Sequence, residues 1–349
     1  MQHLQDSKSK AILIYIYDDI EKKATGEAGN WWLRESLKKL ERSLKKKFKI
    51  KLIVTSGEVE KTINELIQKY NINEVIWNRL YSKKSIERDS QIKKNLQEKK
   101  IKVETFNGHL LNEPWEVQNN SGQYFKVFTP YWRRAFEVFK SKKYQIININ
   151  SINPYLHKET SNWNFLPSKK YYKKFSKYWT PGEEEALDKL KKYLKKDIDN
   201  YKENRDRPDF DKTSKLSPHL RFGEISPRMI VNKIIKEKKL NTSISTYISE
   251  IGWREFSYSL LYYSKNLANH PINEKFIKFP WRKNEKDLTA WKKGKTGIPL
   301  IDAAMKQIYE EGWMHNRLRM VVGSFLVKNL LLNWIEGERY FQETLLDYD

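Results

Sequence analysis

The sequence contains no cysteine, and this absence excludes several kinds of chemistry at once. Disulfide bonds, thiol nucleophiles, Cys-ligated zinc and iron–sulfur clusters all need a side chain that the 349 residues do not supply. A cytoplasmic location is compatible with this composition and is the one we expect. The six histidines are scattered without the spacing of metal ligands, so we expect no metal site.

Long apolar runs and glycine-rich nucleotide motifs are also missing. No stretch approaches the roughly 18 apolar residues of a membrane span, and no apolar run follows a basic start at the N-terminus. We therefore expect no membrane contact. There is no G-x-G-x-x-G, and WKKGKTG has the Lys-Thr of a P-loop without the earlier glycine at the required spacing. Neither a Rossmann dinucleotide site nor an ATPase is supported.

Basic and aromatic residues are abundant instead. The formal net charge is +23, which is large enough to draw the protein toward a polyanion, and nucleic acid is the leading partner class. A genome biased toward Lys, Asn and Ile would also inflate the basic count. The twelve Trp and twenty Tyr fit cores, cofactor pockets or base-stacking surfaces.

The first part of the chain alternates short apolar runs with helical patterns. We expect a helix through Trp32, Leu37 and Leu44, and another from Val59 to Tyr70. Alternation of this kind predicts a parallel sheet in an α/β domain. The predicted strands are residues 11–17, 49–57, 73–78 and 101–107.

The pattern then dissolves and a different one follows. Residues 139–181 are rich in Asn, Ser, Lys and Pro, which indicates a linker between a first domain over 1–138 and a second over 182–349. From Glu183 onward the periodicity is helical. Ser217-Pro218 and Ser226-Pro227 mark helix starts, where Ser can cap and Pro fits the first turn.

Hydroxyl groups precede one of these helix starts. Thr213, Ser214 and Ser217 could join free N–H groups to form an anion site, for which a diphosphate is the natural guest. Ordinary helix capping would explain the same residues.

Two later helices each carry polar and aromatic groups at offsets of 0, 3, 4 and 7, which places them on one face. Such faces suit a nitrogenous ring. A surface ion pair beside a core Trp, and a buried helix with a satisfied Asn, are the alternative explanations. The two sets are Glu250, Trp253, Arg254 and Ser257, and Asn316, Arg319, Met320 and Gly323.

Long blocks of the sequence, in order, resemble the photolyase/cryptochrome family. WWLRESLKKL, VIWNRLYSKKSIERD, LLNEPWEV and VFTPYWR are similar to segments of its Rossmann-like α/β antenna domain. TSKLSPHLRFGEISPR, EIGWREF, WKKGKTGIPLIDAAM, EGWMHNRLRMVVGSFLVK and GERYFQETLLDYD resemble its all-helical FAD-binding domain. The resemblance is closest to cyclobutane pyrimidine dimer photolyases of the class I type.

The resemblance implies that the helical domain binds FAD. The residues that match flavin-pocket positions are Tyr201, Thr213, Ser214, Lys215, Leu216, Ser217, Tyr247, Glu250, Trp253, Arg254, Asn316, Arg319, Asp347, Tyr348 and Asp349. It also assigns Trp281 and Trp334 to a relay that photoreduces the flavin. Reduced FAD would donate an electron to the dimer, whose ring bonds then open.

Substrate choice depends mainly on Asn316. Animal cryptochromes and (6-4) photolyases have a second histidine there, whereas an amide can pair with a pyrimidine edge. Glu250, Met320 and Trp253 would also contact the dimer. The candidates for contact with DNA are Arg205, Trp253, Arg254, Ser257, Asn316 and Arg317. A cryptochrome-like blue-light receptor and a light-independent nucleic-acid-binding module are the alternatives.

The sequence departs from the family pattern at both ends. Relatives begin with a W-F-R type strand that is not seen here, and LLDYD precedes the family's Trp-Gln-Trp block. We therefore expect a fragment that binds FAD poorly. A second, antenna chromophore is expected, most often folate, with Asn112 and Glu113 as its weak candidates. We expect a monomer.

Overall fold

The computed structural model describes residues 1–142, 144, 147–164, 170–264, 267, 270–271 and 273–349. Its strands are β1 (Lys10–Ala11), β2 (Leu13–Tyr17), β3 (Leu52–Ser56), β4 (Glu74–Asn78), β5 (Lys102–Phe106) and β6 (Asn153–Pro154). Its α-helices are α1 (Gln2–Ser7), α2 (Asp19–Ala24), α3 (Glu27–Phe48), α4 (Val59–Tyr70), α5 (Lys83–Glu98), α6 (Phe128–Ser141), α7 (Glu183–Lys196), α8 (Tyr201–Asn204), α9 (Ser217–Arg221), α10 (Pro227–Glu237), α11 (Thr242–Tyr263), α12 (Glu285–Lys292), α13 (Pro299–Glu311), α14 (Asn316–Ser324) and α15 (Trp334–Thr344).

The first third of the chain is an α/β unit with parallel strands, as its sequence pattern predicted. β2 pairs with β3, with Leu13 opposite Leu52, and β4 pairs with β5, with Glu74 opposite Lys102. The two ladders are not hydrogen-bonded to each other in the described residues. Most residues of β2 and β4 are only partly buried, whereas Leu52, Ile53 and Val54 of β3 are buried.

Helix α4 shows why the local pattern of apolar residues was enough to predict the bounds of a helix. Its apolar residues Val59, Ile63 and Ile67 recur at helical spacing and pack against the core around Leu96 and Val103. The helix ends at Tyr70, and Asn71 follows in the left-handed conformation with a φ of 50°. The predicted bounds of this helix agree with the structure.

The connection after α6 contributes to the α/β unit, which the sequence did not indicate. β6 pairs in parallel with β1, and the backbone N–H of Asn162 donates to the carbonyl of Val54 (2.8 Å). The Ser161 hydroxyl also bonds the backbone of β3. The described part of the predicted linker therefore covers an edge of the strands, and residues 143, 145–146 and 165–169 of that linker lie outside the described residues.

From Glu183 onward the described chain forms helices and loops, with an isolated bridge between Arg282 and Leu332. This agrees with the predicted helical second half. α6, which the sequence placed in the first domain, packs against α11. Apolar residues of α7, α10 and α11 form one core, and α12 to α15 form a second.

The two Ser-Pro helix starts differ. The Ser226 hydroxyl accepts from the Met229 N–H (3.1 Å) and caps α10 as predicted. Ser217 does not cap α9, because the helix begins at Ser217 itself. Its hydroxyl instead accepts from the Trp313 indole N–H at 3.3 Å, so that a long-range contact replaces the local one.

The α/β unit and the helices are joined by a buried carboxylate. Glu224 accepts from the Trp32 indole on α3 (3.2 Å), from the Gly182 N–H (2.7 Å) and from the ring of His219 (2.5 Å). One side chain therefore links α3, the end of the connection and α9. Among the described residues, no helix is both long and apolar enough to cross a membrane.

Candidate functional site

A line of charged groups connects helix α11 with helix α14. Glu250 on α11 accepts from Arg205 at 2.6 Å, and Arg205 Nε lies 3.7 Å from Asp206. Asp206 in turn accepts from Arg317 on α14 at 2.5 Å. The two residues after α8 therefore link α11 to α14.

Trp253 lies on the exposed side of α11. Its ring stacks on Phe128 of α6, with centroids 3.7 Å apart and planes 9° apart. The residue remains 47% exposed. Ser257, one turn further, is exposed and donates to the Trp253 carbonyl at 3.0 Å. This face of the helix could therefore receive another flat ring.

The predicted anion loop lies against buried tyrosines. The Tyr247 hydroxyl and the Ser214 hydroxyl are 3.1 Å apart, and Tyr201 meets Tyr247 edge to face. Burial raises the pKa of Tyr247 to about 12. This phenol therefore stays protonated at neutral pH and can donate a hydrogen bond.

Lys215 has a left-handed backbone conformation at the turn of this loop and gives the loop its positive charge. Its φ is 49°, and its ammonium nitrogen lies 5.1 Å from the Trp313 ring centroid. Leu216 is buried, while Thr213 and Ser214 are half-buried. The loop thus offers hydroxyl groups and one cation at the edge of the core.

Arg319 and Asp347 form a second polar wall. Arg319 donates to the Met314 carbonyl and to Asp347 Oδ2, both at 2.8 Å. Asp347 is buried, and its Oδ1 has no hydrogen-bond partner in the described structure. Next in the chain, the Tyr348 carbonyl accepts from Arg221 at 2.7 Å. The free Asp347 oxygen can accept from a ligand N–H or O–H.

Arg254 takes part in an internal cluster that the sequence did not reveal. It donates to the His109 carbonyl (2.9 Å) and to His109 Nε2 (2.6 Å), and the Tyr258 hydroxyl donates to Asp349 (2.6 Å). Arg254 is 15% exposed and lies 3.5 Å from Asp349. This position suits a wall of the site better than contact with a phosphate. His109, on a loop after β5, carried no local signal.

Burial and neighbouring charges together shift the pKa values in this cluster. Burial, and then the Arg254 cation, lower the pKa of His109 to about 3, so that its Nε2 can accept from the guanidinium. Burial alone would raise the pKa of Asp349. The Arg221 and Arg254 cations hold that pKa below its usual value instead.

The predicted dimer-contacting residues of α14 face outward. Asn316 is exposed, and Met320 is 56% exposed beside Arg317, whose Nη1 lies 3.3 Å from the Met320 sulfur. Met320 also lines an apolar groove of about 380 Å³ with Leu300, Val321 and Phe325. Gly323 has open space where a side chain would begin.

Trp281 and Trp334 flank one backbone contact. The N–H of Arg282 donates to the Leu331 carbonyl at 2.8 Å, which brings the segments of the two tryptophans together. The Trp281 ring contacts the Phe279 ring, with centroids 4.4 Å apart and planes inclined by 51°. Trp334 begins α15, and both tryptophans are partly buried.

Most polar groups of Asn112 and Glu113, the candidates for binding an antenna chromophore, already form hydrogen bonds within the protein. Glu113 accepts from Arg79 and from the Tyr81 hydroxyl (2.8 Å), and Asn112 donates to the Ala135 carbonyl (2.9 Å). Of the side-chain polar atoms of these two residues, only Asn112 Oδ1 is buried without a hydrogen-bond partner in the described structure. A separate cavity of about 570 Å³ opens at the carboxyl ends of β2 and β3, next to Asp18, Glu60 and Arg88.

Two family models match the chain. The one described as DNA photolyase matches residues 1–147, and the one described as the FAD binding domain of DNA photolyase matches residues 247–349. In the described residues, no group of three or more His, Asp or Glu side chains could hold a metal ion.

Curated relatives include both photolyases and cryptochromes. A deoxyribodipyrimidine photo-lyase of Agrobacterium fabrum is 40% identical over 93% of this chain and 69% of its own length. One of Alkalihalophilus pseudofirmus is 35% identical over 85% of this chain and 63% of its own length. Cryptochrome-2 of Arabidopsis thaliana is 31% identical over 93% of this chain and 56% of its own length. The chain thus spans only part of each relative.

Solved structures have the same fold. A bacterial class III photolyase from Agrobacterium tumefaciens has a TM-score of 0.89 and 36% identity over 98% of this chain and 72% of that chain. An archaeal photolyase from Sulfolobus tokodaii, described with two FAD molecules, has a TM-score of 0.76 and 29% identity over 98% and 74% of the two chains. With both family models, the relatives and the fold in agreement, this chain belongs to the DNA photolyase/cryptochrome family.

Proposed function

We propose that this protein is a deoxyribodipyrimidine photo-lyase, which uses light and reduced FAD to split cyclobutane pyrimidine dimers in DNA. The observation that carries the proposal is the pairing of the two helix faces. Arg205 and Asp206 link Glu250 on α11, one turn before Trp253, to Arg317 on α14, which follows Asn316 and contacts the Met320 sulfur. Flat apolar and hydrogen-bonding groups for a pyrimidine thus occur together.

The polar groups around this site fit FAD. Asp347 Oδ1 is a buried acceptor without a partner, and a flavin or adenine N–H would satisfy it. The hydroxyls of Thr213, Ser214 and Ser217, with the Lys215 ammonium, suit a diphosphate. Tyr201, Leu216 and Tyr247 supply the apolar backing of this wall.

Further residues would complete the cofactor site. Arg254 lies 3.5 Å from Asp349, Arg319 donates to Asp347, and Arg221 donates to the Tyr348 carbonyl beside them. When bound, reduced FAD supplies one electron under blue light and recovers it after the dimer bonds break. Trp281 and Trp334 are our candidates for supplying electrons that keep the flavin reduced.

The protein's own groups would bind and orient the lesion. Photolyases act on a dimer that has left the duplex, which costs a few kcal/mol and least for a damaged base. The Asn316 amide can donate and accept at a pyrimidine edge, and Glu250 can accept from a base N–H. Met320 and the open face of Trp253 supply apolar contact, and stacking on such a ring is worth about 1–3 kcal/mol for each base.

DNA phosphates would be contacted by basic groups near the lesion site. Arg317 is partly exposed and paired only with the exposed Asp206 among the described residues, so a phosphate can replace that partner. Arg205 is more enclosed, and Ser257 is exposed beside Trp253. The net charge of +23 favours encounter with DNA as a whole.

Protein purified from its native host tests this function directly. We expect flavin absorption, and loss of dimers from ultraviolet-treated DNA under blue light but not in the dark. Asp347→Asn should lower the flavin content, whereas Asp188→Asn, a surface substitution on α7, should not. Bound flavin without light-dependent loss of dimers would overturn the proposed repair function.

The second candidate function is a cryptochrome-like blue-light receptor. Relatives named cryptochrome cover most of this chain at 30–31% identity. Such a receptor would bind flavin and respond to light without removing dimers, so the same measurement separates the two functions. Asn316 and the basic charge favour repair.

We also propose the finer features expected from the sequence. These are a class I type enzyme, a monomer in the cytoplasm, and domains over 1–138 and 182–349 with a linker between them. A folate-type second chromophore is supported only by the free Asn112 oxygen, since Arg79 and Tyr81 engage Glu113. Chromophore extraction and mass spectrometry would identify it, and finding a second flavin instead would overturn the folate assignment.

A further inference from the structure

Three aromatic rings from two helices, those of Trp253, Phe128 and Trp132, lie nearly parallel to one another. Phe128 of α6 lies 3.7 Å from Trp253 at an angle of 9° and 6.5 Å from Trp132 at an angle of 5°. Phe256 meets both Phe128 and Trp253 near their edges, at 6.0 Å. Because one face of Trp253 is covered and the residue is 47% exposed, its other face is open.

The position of these rings depends on a close approach between α6 and α11. A Cβ atom on Gly252 would lie 2.4 Å from Cε3 of Trp132, a distance that side chains do not adopt. A residue without a side chain is therefore needed directly before Trp253. Trp132 lies parallel to Phe128 on the same helix, and Phe128 stacks against the Trp253 indole.

We propose that Phe128 is a positioning residue for recognition of the pyrimidine dimer. Phe128 keeps the Trp253 indole in one orientation. The flipped lesion can therefore stack on the indole without the entropy cost of ordering that side chain. This inference rests on the proposed function and extends it to α6. A segment that follows the α/β unit in the chain thus supports a surface of the helical part.

The test compares affinities for two oligonucleotides, one with a single cyclobutane thymine dimer and one undamaged. Phe128→Ala should reduce the ratio of the two affinities by about 2- to 12-fold, the range for one aromatic pair, with little change for undamaged DNA. Phe128→Tyr keeps a flat ring and should retain the ratio. Phe136→Ala, on the same helix at the other side of Trp132, is the matched control and should alter thermal stability only.

A second substitution shows whether Phe128 acts through Trp253. In a Trp253→Ala background, Phe128→Ala should cause no further loss of the affinity ratio. An unchanged ratio in Phe128→Ala, an equal loss in Phe136→Ala, or full additivity with Trp253→Ala would overturn the inference. If the unsubstituted protein shows no preference for the dimer, the proposed function fails first, and the role of Phe128 fails with it.

Discussion

Glu255→Gln should remove a pH dependence of stability that this protein owes to one buried carboxyl group. Glu255 is 2% exposed on α11. Its Oε2 accepts from the backbone N–H groups of Leu111 (2.8 Å) and Asn112 (3.3 Å), which lie on the segment after β5. Its Oε1 has no hydrogen-bond partner in the described structure.

The magnitude follows from the pKa. Burial raises the pKa of Glu255 from 4.5 to about 7, although the Arg254 cation, the two N–H groups and Arg228 oppose it. At about 1.4 kcal/mol for each pKa unit, this rise corresponds to about 3 kcal/mol. The folded state binds the proton more tightly than the unfolded state, so the contribution is fully present below pH 4.5 and is lost as the pH rises through 7.

The assay is urea denaturation of both proteins at several pH values from 5 to 8. Glutamine keeps an acceptor for the Leu111 N–H and cannot ionise, so its stability should not fall over this range on account of position 255. The free energy of unfolding of the unsubstituted protein should therefore fall, relative to that of Glu255→Gln, by about 2–3 kcal/mol.

The difference in unfolding free energy between the two proteins separates the titration of Glu255 from that of neighbouring groups. His109 has a lowered pKa, and its titration increases stability as the pH rises from about 3 to 6.5, with the opposite sign. Tyr131, whose pKa the Glu255 charge also affects, has a raised pKa because it is buried and stays neutral throughout this range. Parallel pH profiles for the two proteins would refute the reasoning, because they would show that Glu255 does not titrate there.

Three further predictions concern the site. Asn316→His should weaken dimer repair far more than DNA binding, since loss of a base-edge contact costs about 1–3 kcal/mol. If the variant and the unsubstituted protein repair dimers at equal rates in a blue-light assay, the basis for choosing the cyclobutane dimer as substrate is lost. Arg317→Ala should lower affinity for damaged and undamaged DNA alike and reduce the salt slope by about one, and an unaltered slope in salt titrations would mean that Arg317 is structural. Asp347→Asn should lower the free energy of unfolding by about 2–3 kcal/mol, because the Arg319 guanidinium loses its charged acceptor; denaturation with Asp188→Asn as control measures this, and equal stability of the two variants would contradict it.

The sequence determined those features that depend on neighbouring residues. The apolar spacing of α4 specified its bounds, the cap at Ser226 specified the start of α10, and the apolar runs specified β2 to β5. The positions of Glu250 and Trp253 on one helix face also followed from helical period alone. Resemblance, rather than local pattern, supplied the flavin and the family.

Only the tertiary structure decided which distant groups meet. Arg254 contacts His109, which is 145 residues away in the chain, and Phe128 supports Trp253 from another helix. The Ser217 hydroxyl accepts from the indole N–H of Trp313, which lies 96 residues later in the chain. Local periodicity specifies how a segment folds and which face is apolar, but contacts of this kind depend on how whole helices pack, and no short stretch of sequence contains that information.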